Sequence, residues 1–369
     1  MADHDVVISG GGPAGLLLGC LLAQAGREVA VFERSDSPDG RTRAIGIHPP
    51  GLAALGAAGL AEDVLAEAAV LSGGVVTSRG RVLADLDLPP ERPVLTLAQT
   101  RTEALLRARL ETLSPGALRT GTTVLHAADD ATSVRVSALA EGRVEEHRAD
   151  LLVVAEGVRS GLRGTRRFGW RSVPGSAWYS MLDVTGADDD DRARLHLEPA
   201  GVVESFPLPG GRRWVLREGE RRTRTPASFR AEVGERCGID IGTVGAVPTA
   251  FRARQHRAGR LVRDRTVLLG DAAHEISPIG GQGMNIAWIA ACRLAVAVTD
   301  RADRVRALDA YQRVTMRTAA IAQRRALFNM TVGAPWPDAP RALRDVAIRA
   351  LARGATGERL LAAMTMGGL

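Results

Sequence analysis

The residues with the clearest chemistry sit near the start of the chain. Gly10, Gly12 and Gly15 follow a short apolar run, Val6-Val7-Ile8, and lead into an apolar segment from Ala14 to Ala25. Glycines at this spacing allow a tight turn and close approach to the backbone, and the free amides that open the following helix suit an anion. Pro13 and Ala14 lie inside the same turn, Gly10-Gly11-Gly12-Pro13-Ala14-Gly15. Further on, Glu33 closes a second apolar run, Glu28 to Glu33, with Arg34 behind it. A carboxylate there accepts hydrogen bonds from ribose hydroxyls and repels a 2′-phosphate. The pattern predicts a bound adenosine dinucleotide, FAD or NAD but not NADP.

A second group lies far along the chain. Leu268-Leu269-Gly270-Asp271-Ala272-Ala273-His274 is followed by Pro278-Ile279-Gly280-Gly281-Gln282-Gly283-Met284-Asn285, which opens an apolar helix from Met284 to Val298. The start of that helix aims free N–H groups and the positive end of its dipole at whatever occupies the loop. The arrangement resembles the glycine–aspartate motif of the para-hydroxybenzoate hydroxylase family, the single-component (class A) flavin monooxygenases. The resemblance implies that Gly270 and Asp271 hold the ribityl chain of FAD. It also implies that the loop, with Pro278, Gly281, Gln282, Gly283, Met284 and Asn285, lies beside the isoalloxazine ring.

Other stretches resemble the same family in the same order. Arg41-Thr42-Arg43-Ala44-Ile45-Gly46-Ile47-His48-Pro49 resembles its segment bordering the flavin, with Arg41 and Arg43 as contacts. Leu97-Ala98-Gln99-Thr100-Arg101-Thr102-Glu103 resembles the stretch whose glutamine touches FAD, here Gln99. Glu156-Gly157 stands where the family carries Asp-Gly; the longer carboxylate is expected to accept the same hydrogen bonds from a shifted position. The segment Ser205 to Trp214 resembles a strand pair of the family's substrate domain. His274 and Pro278 are the side chains nearest the chemistry on this reading, His274 either tuning polarity or holding a structural hydrogen bond.

The activity implied is monooxygenation. NAD(P)H binds transiently, reduces FAD and leaves; the reduced flavin takes up O2 as a C4a-(hydro)peroxide, and oxygen enters an aromatic substrate. That substrate is expected to be phenolic or polycyclic, as in natural-product tailoring or antibiotic biosynthesis. Transient docking agrees with the single glycine fingerprint in the chain. The same scaffold also suits a flavin-dependent reductase or dehydrogenase without oxygen insertion, or a non-redox cyclase.

These motifs need elements to hold them. The alternation of apolar strands and helices predicts an α/β fold: a Rossmann-like FAD-binding domain with a glutathione-reductase-like sheet, an inserted β-rich substrate domain and C-terminal helices. The expected boundaries are 1–72, 95–161 and 255–315 for the FAD-binding domain, 73–94 and 162–254 for the substrate domain, and 316–369 for the helices. Residues 51 to 70 read as helical. The β-rich layer shows five strand-like runs, and its Trp178, Phe206 and Trp214 are expected to line an apolar substrate pocket. Tyr179 and Met181 lie in the same layer. The last helices, broken at Gly333-Ala334-Pro335-Trp336-Pro337, would cover the first domain or make a homodimer contact. On this reading the family's further C-terminal thioredoxin-like domain is not expected in this chain.

Composition narrows the alternatives. Forty-eight basic and 42 acidic residues give +6, and every basic residue is arginine. The absence of lysine removes Schiff-base and P-loop chemistry and a lysine-dependent halogenase. The arginines are interleaved with acids and aromatics make up 4%, a pattern of solvated charge that predicts no nucleic-acid partner. Cys20, Cys237 and Cys292 lack metal-ligand spacing, so reduced thiols and no metal are expected. The acidic N-terminus fits no signal peptide, and the longest apolar stretch, Leu16 to Ala23, falls well short of the roughly 20 residues of a membrane span. A cytoplasmic enzyme without membrane association is the expectation.

Overall fold

The computed structural model describes residues 2–37, 44–186, 189–242, 245–300, 303–354, 356–357, 361–362 and 365–367. Arg41 and Arg43 lie outside the described residues. Two eight-stranded sheets and one three-stranded sheet carry the fold. In the first, His4–Ser9 runs parallel to Val29–Phe32 on one side and to the end of Arg143–Val154 on the other, with Val7 opposite Leu152. Thr266–Leu268 then continues the parallel order beyond Arg143–Val154.

The central strands are apolar because both of their faces are covered. Val6, Val7, Ile8, Leu152, Val153 and Val154 are wholly buried. The helix Pro13–Gln24 is apolar nearly all round and packs between this sheet and its neighbours, burying Leu16, Leu17, Leu18 and Leu22 completely. Each such side chain contributes about 1.5–3 kcal/mol on leaving water. A parallel sheet directs all its strand ends to one edge, and ligand-binding turns of this architecture gather there.

The second sheet runs in the order His274–Glu275, Thr249–Arg257, Arg171–Thr185, Gly211–Glu218, Gly201–Leu208, Arg192–Glu198, Gly73–Ser78, Arg81–Asp87. The hairpin Gly73–Ser78/Arg81–Asp87 joins it through the parallel pairing of Gly73–Ser78 with Arg192–Glu198. This sheet forms a roof over the loop that follows Asp271. The five strand runs read from sequence are all present. Between the last two lies a helix the sequence reading omitted, Pro226–Cys237. Its signals are local: a capping box between Thr225 and Ser228, Pro226 in the first turn, and Gly238 in the left-handed conformation at its end.

Residues 51 to 70 are not one helix. Pro49–Ala57 and Ala61–Glu67 are separated at Gly59, whose φ is +79°, and Ala69–Leu71 is a strand of the small sheet with Gly46–Ile47 and Val94–Thr96. Helix propensity there yields to the pairing that brings Gly46 and Ile47 beside the site.

The helix Arg304–Val332 is continuous through residue 315 and links the two halves. Near its start Tyr311 donates to the carbonyl of Leu268 at 2.8 Å, and Gln312 accepts from the amide of Leu261 at 2.7 Å. Beyond its end, the Gly333 carbonyl accepts from the amide of Val202 in the roof at 3.0 Å. Asp338–Leu351 follows as the next helix. No helix among the described residues is long and apolar enough to cross a membrane.

Candidate functional site

The glycine turn is held by close backbone packing. Gly10 has φ +115°, and a Cβ there would meet the carbonyl oxygen of Ala155 at 2.4 Å; one on Gly15 would lie 2.0 Å from the carbonyl oxygen of Gly10. Any larger residue at either position would force strand and helix apart. Gly12 instead borders open space. It caps Pro13–Gln24 with no side-chain hydrogen bond, so the first amides of the helix, at Ala14 and Gly15, have no capping oxygen. Glu33 completes this end: its carboxylate accepts from the amide of Gly11 at 2.7 Å and that of Ser35 at 3.0 Å. Arg34 is exposed just beyond.

The Asp271 turn meets the same helix start from the other side. Gly270–Ala272 is a single 3₁₀ turn, and a Cβ on Gly270, φ +63°, would stand 3.1 Å from the Cβ of Ala14. Trp288 adds a second tie, its indole N–H donating to the carbonyl of Pro13 at 3.2 Å. Two motifs at opposite ends of the sequence thus share one edge of the sheet. Asp271 itself is exposed at that edge.

The loop that follows is built by two left-handed glycines. Gly280 and Gly281 have φ +95° and +65°, and the amide of Gly281 bonds back to the carbonyl of Pro278 at 2.9 Å. Pro278 is exposed, whereas Ile279 turns inward against the roof. Gly281 caps Gln282–Thr299 without a side-chain bond, which leaves the amides of Gln282, Gly283 and Met284 at an open helix start.

Asn285 is wholly buried, and its side chain is occupied by backbone. It donates to the carbonyls of Gly46 at 2.9 Å and Gly281 at 2.8 Å and accepts from the amide of His48 at 2.9 Å. Its amide therefore fixes the loop to the Gly46–Ile47 strand. His48 lies against the same loop, and burial pulls its imidazole down to about 4, so it is neutral at physiological pH.

Glu156 is similarly occupied. Ser9 and Ser160 donate their hydroxyls to its two oxygens at 2.7 and 2.6 Å, and the amide of Leu162 adds a bond at 3.3 Å. The extra methylene lets Glu156 bridge the end of the His4–Ser9 strand and the start of the helix Gly161–Thr165. Gly157, φ +73°, turns the chain beside it.

Gln99 opens the helix Gln99–Leu113, accepts from the amide of Ala44 at 3.3 Å and donates to Glu103 at 2.8 Å. Two turns along the same face, Arg107 donates to the carbonyl of Gly11 at 3.2 Å. The sequence reading missed Arg107, although Gln99, Glu103 and Arg107 form an i, i+4, i+8 polar stripe that places all three on one face.

His274 is buried, with both ring nitrogens lacking a hydrogen-bond partner among the described residues, and burial lowers its pKa to about 4. The imidazole is therefore neutral at physiological pH, within the loop's support. In the roof the alternation of strands separates the expected pocket residues. Phe206 lies on the inner side with Leu71, Val94 and Ala193. Trp214 is opposite Leu182 and packs with Val203, Leu216 and Phe229 beneath Pro226–Cys237, on the outer face. Trp178, in phase with Leu182, lies under the Arg252 guanidinium at 5.9 Å on that same face. Trp178 and Trp214 are thus corrected to outer-face residues, because the helix Pro226–Cys237 needs an apolar surface to cover.

The inner face of the roof holds a residue the sequence reading overlooked, Glu204. It is 6% exposed, shares its side of the sheet with Val202 and Phe206, and makes no hydrogen bond within the described residues. Burial raises its pKa to about 7 against the opposing pull of Arg217.

The donors present suit a flavin dinucleotide. Two uncapped helix starts lie at one edge of the sheet, and Gln282 Oε1 and His48 Nδ1 are buried there without hydrogen-bond partners among the described residues. Comparison with known proteins agrees. Residues 3–326 match the family model described as FAD binding domain. The chain is 33% identical over 313 residues to 6-methylpretetramide 4-monooxygenase of Streptomyces rimosus, covering 80% of this chain and 56% of that protein. It is 31% identical over 349 residues to kynurenine 3-monooxygenase of Salinispora arenicola, covering 83% of this chain and 75% of the relative. Among solved structures, p-nitrophenol 4-monooxygenase from Pseudomonas putida superposes with a TM-score of 0.87 at 24% identity, over 99% of this chain and 98% of that one. The chain therefore spans little more than half of the first of these relatives, and it belongs to the class A FAD-dependent aromatic monooxygenase family.

Proposed function

We propose that this chain is an FAD-dependent monooxygenase that uses NAD(P)H and O2 to hydroxylate an aromatic substrate, phenolic or polycyclic. The observation that carries the reading is the meeting of the Asp271 turn, the glycine turn and the open start of Gln282–Thr299 on one sheet edge, in a chain of this family. Bound FAD supplies hydride acceptance from NAD(P)H and activation of O2.

The protein's part is binding, orientation and exclusion of water. The amides of Ala14 and Gly15, with Gly10 and Gly12 keeping the approach clear and Pro13 starting the helix, receive the pyrophosphate. Glu33 takes the adenosine ribose, with Arg34, Gln99, Arg107 and Gly157 around it. Asp271 and Gly270 take the ribityl chain. The free amides of Gln282, Gly283 and Met284 favour negative charge on a reduced ring. Asn285, Glu156 and Gly281 hold these groups in place, and Pro278, His274 and the inner-facing Phe206 border the reacting space. Neutral His48 and His274 add no competing positive charge.

The test is direct. The purified protein is expected to carry FAD and to consume O2 with NAD(P)H oxidation that aromatic ligands stimulate. Asp271→Ala is expected to lose most bound FAD while keeping its circular dichroism spectrum. Full flavin occupancy in that variant refutes the assignment of Asp271, and substrate reduction under strict anaerobiosis refutes oxygen insertion.

A further inference from the structure

Three polar side chains, Tyr179, Glu204 and Arg217, stand together on the inner face of the roof sheet, with the ion pair Arg213–Asp183 further along it. Tyr179 and Arg217 are cross-strand partners, and Glu204 stands on the next strand, opposite Val215. The Tyr179 hydroxyl is fully buried and has no partner at hydrogen-bond geometry among the described residues. The Arg217 guanidinium lies 6.0 Å from the Tyr179 ring centroid and donates to the carbonyl of Met330, so it is anchored beside them. Glu204 has no hydrogen-bonding neighbour within the described residues, yet it is held in the middle of a strand clamped at both ends. At one end Val202 bonds to Gly333; at the other the Pro207 carbonyl accepts from Thr96 at 2.5 Å. Thr96 pairs with Gly46, next to the flavin loop, and Ile279 of that loop packs against Tyr179 and Val215 on this face.

A buried carboxyl and a buried hydroxyl that lack a hydrogen bond among the described residues, with only the charge of Arg217 nearby, are costly unless a ligand completes them. We propose that Glu204, with Tyr179 beside it, receives the hydroxyl of a phenolic substrate and takes its proton, so that the chain selects hydroxylated aromatics over their ethers. The proposal rests on the monooxygenase reading and names its substrate class. In the step the phenolic O–H bond breaks, an O–H bond forms on the Glu204 carboxylate, and the electron pair stays on the substrate oxygen, which enriches the ring for electrophilic attack. Arg217, anchored nearby, balances the charge. Arg217 and Tyr179 are the charged and titratable groups that act on Glu204; Arg213, diagonal to it on the same face, is paired with Asp183, and Leu195, Val215 and Ile279 around it are apolar. Because Glu204 titrates at about 7, it is an available acceptor on the alkaline side of neutrality.

The experiment uses the FAD-loaded protein and a matched pair of probes, 2-naphthol and 2-methoxynaphthalene, titrated by flavin absorbance between pH 6 and 8.5. Wild type is expected to prefer the naphthol by about tenfold or more, since a site built around a hydroxyl rejects the analogue that lacks the donor. The preference grows as pH passes through 7. Glu204→Gln is expected to lose that pH dependence and most of the preference while keeping its FAD. Tyr179→Phe, which retains the carboxylate, is expected to keep the pH dependence at a reduced preference. No preference in the wild type, or an unchanged preference and pH profile in Glu204→Gln, overturns the proposal while the flavoprotein reading stands. A wild type that binds no FAD overturns that reading first.

Discussion

Two buried glutamates on the roof sheet have opposite fates. Glu218, 4% exposed, lies on the outer face and is fully engaged: Ser180 donates to it at 2.7 Å and Arg224 at 2.6 and 3.0 Å. Glu232 holds Arg224 from the other side at 2.8 Å. Glu204, 6% exposed on the inner face, has the nearby charge of Arg217 and no hydrogen bond within the described residues. Around Glu218 the outer face is finished as a protein interior is finished, with carboxylate and guanidinium matched. At Glu204 and the Tyr179 hydroxyl the inner face leaves polar groups unmatched among the described residues, as a surface that meets a ligand does, although Arg213 and Asp183 pair on the same face. Similar burial therefore carries different meanings, and hydrogen-bond completion separates structure from site.

The largest expected effect sharpens that contrast through the tryptophans. Trp214→Ala empties a packed position beside Leu182, Leu216 and Phe229 and should cost about 3–5 kcal/mol. Chemical denaturation reads the loss, and the naphthol preference of the surviving folded protein should not change. A changed preference would return Trp214 to the pocket. Next comes Glu218→Gln, which leaves buried Arg224 with Glu232 as its remaining carboxylate and should cost about 3 kcal/mol at pH 7. A loss below about 1 kcal/mol, the scale of exposed pairs, would show that the outer network is not the completed structure described here.

Much of the dinucleotide end was legible in the sequence because its chemistry is written in backbone. Gly10 and Gly15 are glycines since any Cβ would strike a carbonyl oxygen, and such positions show up as spacing. The roof was less legible. Period two says that Val202, Glu204 and Phe206 share one side and Val203 and Ser205 the other, but which side faces the flavin loop depends on where Pro226–Cys237 packs. Aromatic type drew attention to Trp178 and Trp214, and the unrecognised helix claimed their face. Glu204, a lone acid in the run Val202-Val203-Glu204-Ser205-Phe206, was the available signal in that strand. Asn285 and Glu156 stand beside the motifs in sequence, yet their partners are tertiary and could not be read from local pattern.

The smallest of these effects carries the opposite sign. Glu204 has a folded pKa of about 7, above its ordinary value of 4.5, because burial opposes its charge. A raised carboxyl pKa means that the folded state keeps a proton which the unfolded state has already released. Ionisation therefore favours unfolding progressively between pH 4.5 and 7, and the penalty is constant above that range. Glu204→Gln removes the titration. The variant and wild type should unfold almost together near pH 4.5, where both states hold the proton to a similar degree. At pH 8 the variant should be the more stable by about 2 kcal/mol, somewhat less than the full pKa displacement implies because the amide is also left without partners. Paired thermal melts of the ligand-free proteins at the two pH values measure the difference. Stabilisation at pH 8 combined with loss of the naphthol preference would mean that this carboxylate is retained against the interest of the fold. Equal melting at both pH values would instead make Glu204 another completed structural group, and the distinction between the two faces of the roof would collapse.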